Sequence, residues 1–359
     1  MKARVIAFYL PQFHPTPSND VWWGKGFTEW TNVCKARRLF RGHYQPHIPA
    51  DLGFYDLRLK ETRQAQAEMA KEYGIEGFCY YHYWFGNGRR ELERPFDEVL
   101  ESGEPGFPFM LCWANESWHE KFWNKDGASV TKLLVEQRYE GEEDHTKHFY
   151  SLLPAFRDPR YMKVDGKPMF MIFRPLGFAE VSAFIDLWQR LAKENGLGGL
   201  YFIGQTTEYE RDADAIFDKG FDAVNTVRLF DVRKHSGLVR RRYRKLFRAF
   251  FHIPFAYKYS TAKKYFITEY EKRENVFPTV IPNWDHTPRS GKNGFVLTGS
   301  TPRLFGQSVR EAVDAVREKA EDKRLIFVKS WNEWGEGNHL EPDLKFGRGY
   351  LEELRDNIR

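Results

Sequence analysis

The chain alternates between short apolar runs and longer stretches whose apolar positions recur every three or four residues. Eight apolar runs bounded by turn residues have the length of buried strands. They are Arg4 to Leu10, Gly77 to Trp84, Phe107 to Ala114, Pro168 to Phe173, Leu200 to Gly204, Phe221 to Thr226, Phe277 to Pro282 and Leu325 to Ser330. The stretches with helical spacing are Leu59 to Tyr73, Glu142 to Phe156, Phe178 to Gly196 and Ser308 to Asp322.

Strand and helix repeated over eight strands is the pattern of an α/β fold of the (β/α)8 TIM-barrel type. A doubly wound open sheet is the competing architecture. The barrel is favoured because no Gly-x-Gly-x-x-Gly follows the first strand. A length of 359 residues suits a barrel built as one domain. We therefore expect a single catalytic domain over residues 1–359.

The last predicted strand runs directly into Trp331-Asn332-Glu333-Trp334-Gly335-Glu336. Two carboxylates beside indole rings suit carbohydrate chemistry, because one acid can hold a proton while the other stays ionised and the rings stack on sugar faces. Glu333 and Glu336 are therefore the catalytic candidates. The competing interpretation is that Asn332 caps a helix with both acids in its first turn.

In a barrel, the residues that follow each strand converge on one mouth. Polar and aromatic side chains are concentrated at five such strand ends. A lone histidine is more often structural than functional, but convergence of five ends favours a binding site. The predicted substrate-binding residues at these ends are His14, Tyr81, His82, Trp84, Trp113, Asn115, Glu116, Asn283, Trp284, Asp285, Trp331, Asn332 and Trp334.

Glu116 leaves two mechanisms open. In the first, Glu333 and Glu336 carry out all proton transfers and Glu116 binds substrate. In the second, Glu116 is the acid/base and one of the pair is the nucleophile, since an Asn-Glu pair at a barrel strand end is also where many retaining glycosidases keep their acid/base. The separation of the carboxyl groups distinguishes retention from inversion.

Composition adds a bias toward rings and no cofactor motif. Aromatic residues make up 17% of the chain, and many lie beside turn residues. The three cysteines lack Cys-x-x-Cys spacing, and no phosphate-binding loop or Gly-x-Ser-x-Gly elbow is present. We expect no cofactor and no metal; Asp212-Ala213-Asp214 is a weak metal candidate of the transferase type. The N-terminal apolar run is too short for a signal peptide, so we expect a cytoplasmic protein.

A basic segment interrupts the pattern after the sixth strand. Residues 232–268 contain eleven Lys or Arg and no acid, and residues 240–251 combine basic and aromatic positions at helical spacing. Such a surface suits an anionic membrane, an acidic polysaccharide or a diphosphate-linked lipid carrier. A solvated helix packed on the barrel is the plainer alternative. We treat 232–268 as an insertion in the barrel, with peripheral membrane contact through 233–251 and no nucleic-acid partner.

Six long motifs resemble the WbsX family, described as glycoside hydrolase family 99-like and associated with bacterial O-antigen and capsule loci. They are Phe8 to Pro15, Trp22 to Trp30, His43 to Pro46, Gly77 to Trp84, Cys112 to Glu116 and Trp331 to Asn338. The resemblance implies a (β/α)8 barrel acting on surface polysaccharide or its lipid-linked precursor. It adds Trp23 and Trp30 to the expected substrate-binding residues.

Family 99 proper comprises retaining endo-acting α-mannosidases with a Glu-x-x-Glu motif after the last strand, which Glu333-Trp334-Gly335-Glu336 matches. The resemblance implies that Glu333 removes the proton of the sugar 2-hydroxyl and that Glu336 protonates the leaving oxygen. Gly335 departs from the bulkier residue expected in true mannosidases. The expected function is a glycoside hydrolase or transglycosidase. A glycosyltransferase and a non-catalytic carbohydrate-binding protein are the alternatives.

Overall fold

The fold is described from a computed structural model that covers residues 3–123, 129–237, 242, 250–251 and 253–358. All eight predicted apolar runs are parallel strands. They are β1 (Arg4–Tyr9), β2 (Gly77–His82), β3 (Phe109–Trp113), β4 (Lys167–Ile172), β5 (Tyr201–Thr206), β6 (Ala223–Thr226), β7 (Val276–Val280) and β8 (Leu325–Val328).

The eight strands pair in chain order and close on themselves. Strand β1 pairs with both β2 and β8, with Val5 opposite Ile326, and β3 pairs with β4, with Leu111 opposite Phe170. No barrel strand is left with an open edge, so the architecture is the predicted (β/α)8 TIM barrel.

The helices of the described chain cover the outside of the barrel or lie within the loops that connect its strands. Their bounds are Pro17–Trp23, Glu29–Lys35, Lys60–Glu72, Arg94–Ser102, Glu142–Arg157, Val181–Glu194, Tyr209–Asp218, Asp231–Lys234, Tyr259–Ala262, Thr287–Ser290, Pro302–Val316 and Gly349–Asn357. Three of the four predicted helices are confirmed within three residues at each end. The fourth starts earlier than predicted, because the Thr301 hydroxyl caps it and Pro302 occupies its first position.

Short strands and 3₁₀ turns that the apolar pattern did not predict lie outside the eight barrel strands. A hairpin of Trp118–Trp123 and Ser129–Val135 follows β3. The remaining strands are Lys163–Val164, Phe255–Lys258, Phe295–Thr298, Asn332–Glu333 and Asn338–His339, and the 3₁₀ turns are Pro175–Gly177, Lys263–Tyr265, Glu269–Lys272, Gly291–Asn293, Trp334–Glu336 and Glu321–Lys323.

The main core lies inside the barrel and between barrel and helices. Every residue of β8 is fully buried, as expected for a parallel strand covered on both faces. A second, smaller cluster that includes Tyr257, Tyr259, Phe266 and Trp284 lies beside the mouth. It is where the C-terminal flank of the basic segment packs onto the barrel.

The basic segment falls between β6 and β7, and most of its densest part lies outside the described residues. Phe250 and Phe251 are described and are 79% and 53% exposed. On the flank, Phe255–Lys258 pairs with Phe295–Thr298, and Lys263 forms an ion pair with Glu311. Within the described residues, no helix is both long and apolar enough to cross a bilayer.

Candidate active site

A cleft of about 920 Å³ opens at the carboxyl ends of the barrel strands. This size is at the upper end of the range for ligand sites, about 300–1,000 Å³. Among the predicted site residues, six line this cleft: Trp23, Tyr81, Glu116, Trp284, Glu333 and Glu336. The structure therefore brings both catalytic candidates and three predicted aromatic residues to one surface.

The loop after β8 presents the two acids from a tight turn. Asn332–Glu333 pairs with Asn338–His339, and the 3₁₀ turn Trp334–Glu336 joins them. The Asn332 side chain accepts a hydrogen bond from the Leu10 amide at 2.7 Å and donates to the Leu10 carbonyl at 3.1 Å. It thus ties the loop to the end of β1, and the alternative in which Asn332 caps a helix is wrong.

Glu333 is buried beside positive charge. Its Oε2 accepts a hydrogen bond from the Ser330 hydroxyl at 2.5 Å and lies 3.3 Å from the Lys329 ammonium. Burial raises the pKa of Glu333, but Lys329, Arg289 and the Ser330 hydrogen bond together outweigh it, so the net pKa is lower than usual. Glu333 is therefore ionised at neutral pH.

Glu336 has the opposite bias. Burial and the neighbouring Glu333 charge raise the pKa of Glu336 to about 7, although Arg289 and Lys329 oppose the shift. Its Oε1 accepts a hydrogen bond from Arg289 at 2.8 Å, whereas the buried Oε2 has no partner among the described residues. Glu336 can thus hold a proton near neutrality while Glu333 stays charged.

Arg289 connects the pair to a third acid. Its Nε donates to Glu29 Oε1 at 2.7 Å, and its other arm contacts Glu336. A Cβ at Gly335 would collide with the Glu29 carboxylate and lie 3.0 Å from Arg289 Nε. The glycine that departs from the expected mannosidase motif is therefore the residue that leaves room for the Glu29–Arg289 ion pair.

Asp285 lies behind Glu336 and supports its loop. The Asp285 amide donates to the Glu336 carbonyl at 2.6 Å, while the Asp285 carboxylate lies 2.6 Å from His43 Nε2 and accepts from Gln45 at 2.8 Å. Asp285 was predicted to bind substrate. It is 1% exposed and does not line the cleft, so its contacts are those of a residue that positions the turn.

Glu116 lines the cleft, and its hydrogen-bond partner is Arg174 instead of a residue of the acid pair. Its Oε1 accepts from Arg174 Nε at 2.6 Å, and both side chains are about half exposed. Asn115 fixes this arrangement by exchanging two hydrogen bonds with the Arg174 backbone. The charge of Glu116 is thus balanced by a local arginine.

The other predicted substrate-binding side chains do not line the cleft. The sequence shows that these strand-end residues are polar or aromatic. It does not show which way their side chains face. Those with no surface on the cleft are His14, Trp30, His82, Trp84, Trp113, Asn115, Asn283, Asp285, Trp331, Asn332 and Trp334.

Several of these packed side chains already have protein partners. The Trp334 indole donates to Glu341 at 2.6 Å, the Trp30 indole donates to the Tyr55 carbonyl at 2.7 Å, and His82 Nε2 lies 2.8 Å from the His148 ring. Burial lowers the pKa of His14 to about 4, so this ring is neutral at pH 7.

Sequence reasoning missed the groups that set the charge of the site. Lys329 interrupts the buried run of β8, and its position at a strand end is a signal that identifies it in retrospect. Arg289 and Glu29 carried no such signal, because 260 positions separate them in the chain. Tyr83 and Trp118 also line the cleft, the latter from the hairpin.

The weak metal candidate in the helix Tyr209–Asp218 is occupied by protein groups. Asp212 accepts a hydrogen bond from the Thr206 hydroxyl at 2.7 Å and pairs with Arg211 at 2.7 Å. Of the described residues, a different set, His47, His339 and Asp343, places three metal-type ligand atoms within 4.8 Å of one another. That set lies outside the cleft.

Comparisons with known proteins show relatives of this chain. Two curated relatives, both called "Uncharacterized protein WxcX" and from two strains of Xanthomonas campestris pv. campestris, are each 34% identical over the whole chain. The chain spans about half the length of these relatives.

Solved structures share the fold. A GH99 endo-alpha-mannosidase from Bacteroides thetaiotaomicron superposes with a TM-score of 0.59 at 15% identity, covering 99% of this chain and 96% of that one. A "glycoside hydrolase-like protein" gives 0.62 at 16% identity, with 99% and 94% covered. The family model described as "Glycosyltransferase WbsX" matches residues 5–354, and the chain, whose barrel is GH99-like, therefore belongs to the WbsX family.

Proposed function

We propose that this chain is a retaining, endo-acting glycoside hydrolase or transglycosidase that uses Glu333 as base and Glu336 as acid. The observation that carries the proposal is the pair itself. Two carboxylates share one cleft, and their surroundings lower the pKa of Glu333 and raise the pKa of Glu336 to about 7. General acid–base catalysis at a glycosidic bond needs one ionised and one protonated group.

In the first step, Glu333 accepts the proton of the sugar 2-hydroxyl, and that oxygen attacks the anomeric carbon. The glycosidic C–O bond breaks, and the leaving oxygen takes the proton from Glu336. The product is a 1,2-anhydro sugar. Lys329 and Ser330 stabilise the ionised state of Glu333 before this step.

In the second step, Glu336 is ionised and accepts a proton from water, whose oxygen attacks the anomeric carbon. The anhydro ring opens, and O2 recovers its proton from Glu333. Two inversions at one carbon give net retention. If a sugar hydroxyl replaces water, the same step transfers the cleaved glycan to that new acceptor.

We further propose that the substrate is a bacterial surface polysaccharide of the O-antigen or capsule type, or its lipid-linked precursor. Family membership supports this class of substrate. The cleft is large enough for a segment of a polysaccharide, which fits endo action. A cytoplasmic protein that contacts the membrane through 233–251 would meet a lipid-linked precursor, and the exposed Phe250 and Phe251 suit such contact.

The test is release of reducing ends from the surface polysaccharide of the source organism, with α-mannan alongside, in the absence of nucleotide and added metal. Glu333→Gln and Glu336→Gln should each abolish release, and Glu116→Gln, a neutralised acid on the same cleft wall, is the matched control. Glycosyl fluorides add a second criterion, since fluoride leaves without a proton. They should reduce the defect of Glu336→Gln but not that of Glu333→Gln.

A glycosyltransferase is the second candidate, because the family model carries that description. It predicts binding of a sugar nucleotide and transfer that depends on it. The cleft arginines Arg174 and Arg211 are already paired with Glu116 and Asp212, which leaves less charge for a diphosphate. Polysaccharide binding that survives both Glu→Gln changes without any turnover would instead indicate a carbohydrate-binding protein.

A further inference from the structure

We propose that His47, His339 and Asp343 form a binding site for a divalent transition metal of the zinc class, separate from the acid pair. All three residues are buried, at 3%, 5% and 3% exposure. Each offers one ligand atom, and these atoms lie within 4.8 Å of one another. Two imidazoles and one carboxylate are a donor set that zinc accepts in proteins.

The site has room for the ion and for water. The three residues border a cavity of about 100 Å³ beside the loop after β8. Asp285 and Tyr350 also line this cavity. A water molecule occupies about 30 Å³ in the liquid, so the cavity can complete a coordination shell with water. The proposed shell is two ring nitrogens, one carboxylate oxygen and a solvent oxygen.

The His339 ring is fixed in the form that a metal requires. Its Nδ1 lies 2.9 Å from the Glu341 carbonyl oxygen, which only accepts, so Nδ1 carries the proton. Nε2 therefore has a free lone pair, and this atom points to His47. Metal-bound histidines commonly donate the other ring N–H to a backbone carbonyl in this way. Stacking on Trp334, with ring centroids 3.6 Å apart, restrains the ring further.

His47 directs its Nδ1 at the same point. The distance from His47 Nδ1 to His339 Nε2 is 2.9 Å. Two nitrogens bound to one tetrahedral zinc lie about 3.3 Å apart when each bond is about 2.0 Å. The rings therefore need to separate by only a few tenths of an ångström. The other nitrogen of His47 is buried with no partner in the described part of the chain.

The Asp343 carboxylate completes the set. Its Oδ1 accepts the backbone amides of Lys345 and Phe346 at 2.9 and 2.7 Å, which fixes the side chain. Its Oδ2 lies 4.0 Å from His339 Nε2. The nearby Lys345 ammonium lies over the Tyr44 ring, 4.1 Å from the ring centroid. The positive charge of Lys345 lowers the affinity for a cation, and the charge of Asp343 opposes that effect.

A hydrogen-bonded imidazole pair without metal is the competing explanation. The barrel contains such a pair in His82 and His148, whose Nε2 atoms are 2.8 Å apart. That pair lacks a carboxylate in ligand position within the described chain. It is therefore a built-in control for buried histidines as such.

The experiment uses the full chain without a histidine tag, on a Cys34→Ser background, because Cys34 is exposed and thiols bind the same metals. After dialysis against a chelator, Co²⁺ is titrated and the visible d–d absorption is recorded; Zn²⁺ then competes, and mass spectrometry gives the metal content. We expect one ion per chain, a tetrahedral cobalt spectrum without a thiolate band, and displacement by Zn²⁺.

His47→Gln and His339→Gln should weaken Co²⁺ binding by roughly 100-fold or more, and Asp343→Asn by roughly 10-fold or more, since each removes a ligand. His148→Gln should leave binding unchanged. Asp343→Asn keeps the oxygen that accepts the two backbone amides, so it tests the ligand with little effect on folding, which circular dichroism checks. The proposal is overturned if the wild type binds no stoichiometric metal, or if binding persists in all three ligand variants. Neither outcome bears on the acid pair.

Discussion

Glu333 and Glu336 are chemically identical and three positions apart, yet their surroundings give them opposite proton affinities. Of the two acids, Glu333 is the one that Lys329 and Ser330 contact, so the first acid stays ionised. Glu336 is buried near that charge, and the pKa of Glu336 rises to about 7. At the residue scale, the proposed roles of base and acid follow from which neighbours each carboxylate has.

The first prediction concerns the pH profile and Arg289. Activity should fall as pH rises through about 7, where Glu336 loses its proton, and should fall again in acid as Glu333 gains one. Arg289 lowers the pKa of both acids, and on Glu336 its effect is larger than the opposite effect of Glu29. Arg289→Gln combined with Glu29→Gln should therefore move both limbs of the pH profile to higher pH. The double change avoids leaving the buried Glu29 unpaired.

The measurement is kcat/KM as a function of pH. Arg174→Gln is the matched control, because Arg174 lies in the same cleft but pairs with Glu116. The acidic and basic limbs of its pH profile should coincide with those of the wild type. Unmoved limbs in the double variant would contradict the assignment of the pH dependence to these acids.

The second prediction concerns Lys329. Lys329→Met removes the ammonium 3.3 Å from Glu333, so the pKa of Glu333 should rise and the acidic limb should move to higher pH. We expect kcat to fall by roughly 100-fold, as when one electrostatic contact of an active site is lost. Tyr81→Phe removes the hydroxyl that Lys329 contacts at 2.9 Å but no charge, and its acidic limb should stay in place.

At the element scale, the loop after β8 is held from both sides. Asn332 bonds it to β1, and Asp285 bonds it to the segment after β7. The 3₁₀ turn between the two short strands sets the spacing of the acids. Glu-x-x-Glu therefore lies in a turn whose ends are fixed, whereas the same motif in a helix would place its acids by helical spacing alone.

The third prediction is that Gly335→Ala damages this element. The added Cβ would displace the Glu29–Arg289 ion pair, so we expect at least a tenfold loss of kcat and a loss of about 1–3 kcal/mol in the free energy of unfolding. Steady-state kinetics and urea unfolding measure the two effects. Gly106→Ala is the control, because a Cβ there meets open space. Equal behaviour of the two variants would refute the steric argument.

At the scale of the whole molecule, barrel closure brings together groups that lie far apart in the chain. Trp23 comes from the first strand's loop, Trp118 from the hairpin after β3, and Trp284 from the segment after β7, and all three line one cleft. Aromatic walls around an acid pair suit a polymer of sugars, because the rings stack on the apolar faces of several units.

The fourth prediction concerns this wall. Trp23 is 41% exposed at the cleft, so Trp23→Ala should raise KM about tenfold, equivalent to about 1.4 kcal/mol, with kcat unchanged. Michaelis kinetics on the polysaccharide measures it. Leu344→Ala, an exposed apolar residue that does not line the cleft, should change neither constant. A loss in kcat alone would place Trp23 in the chemistry and not in binding.

Strand positions were predictable because burial on both faces leaves continuous apolar runs, as in β8. The elements at the rim were less predictable, because the hairpin Trp118–Trp123 and Ser129–Val135 contains no continuous apolar run. Orientation was also hidden, since a polar or aromatic side chain at a strand end can face the cleft, as Tyr81 does, or the core, as His82 does. Local sequence does not distinguish the two, because both faces of a barrel strand are buried and no alternation of polar and apolar positions marks which face is which.

The order of apolar runs and the Glu-x-x-Glu motif are local properties, and they were enough to predict the barrel and the position of its acid pair. The proton affinities are not local. They depend on Arg289 and Glu29, which meet across 260 positions, and the proposed metal ligands His47 and His339 meet across 292. Only folding creates these distances, and electrostatic and coordination energies depend on distance, so these properties belong to the tertiary structure.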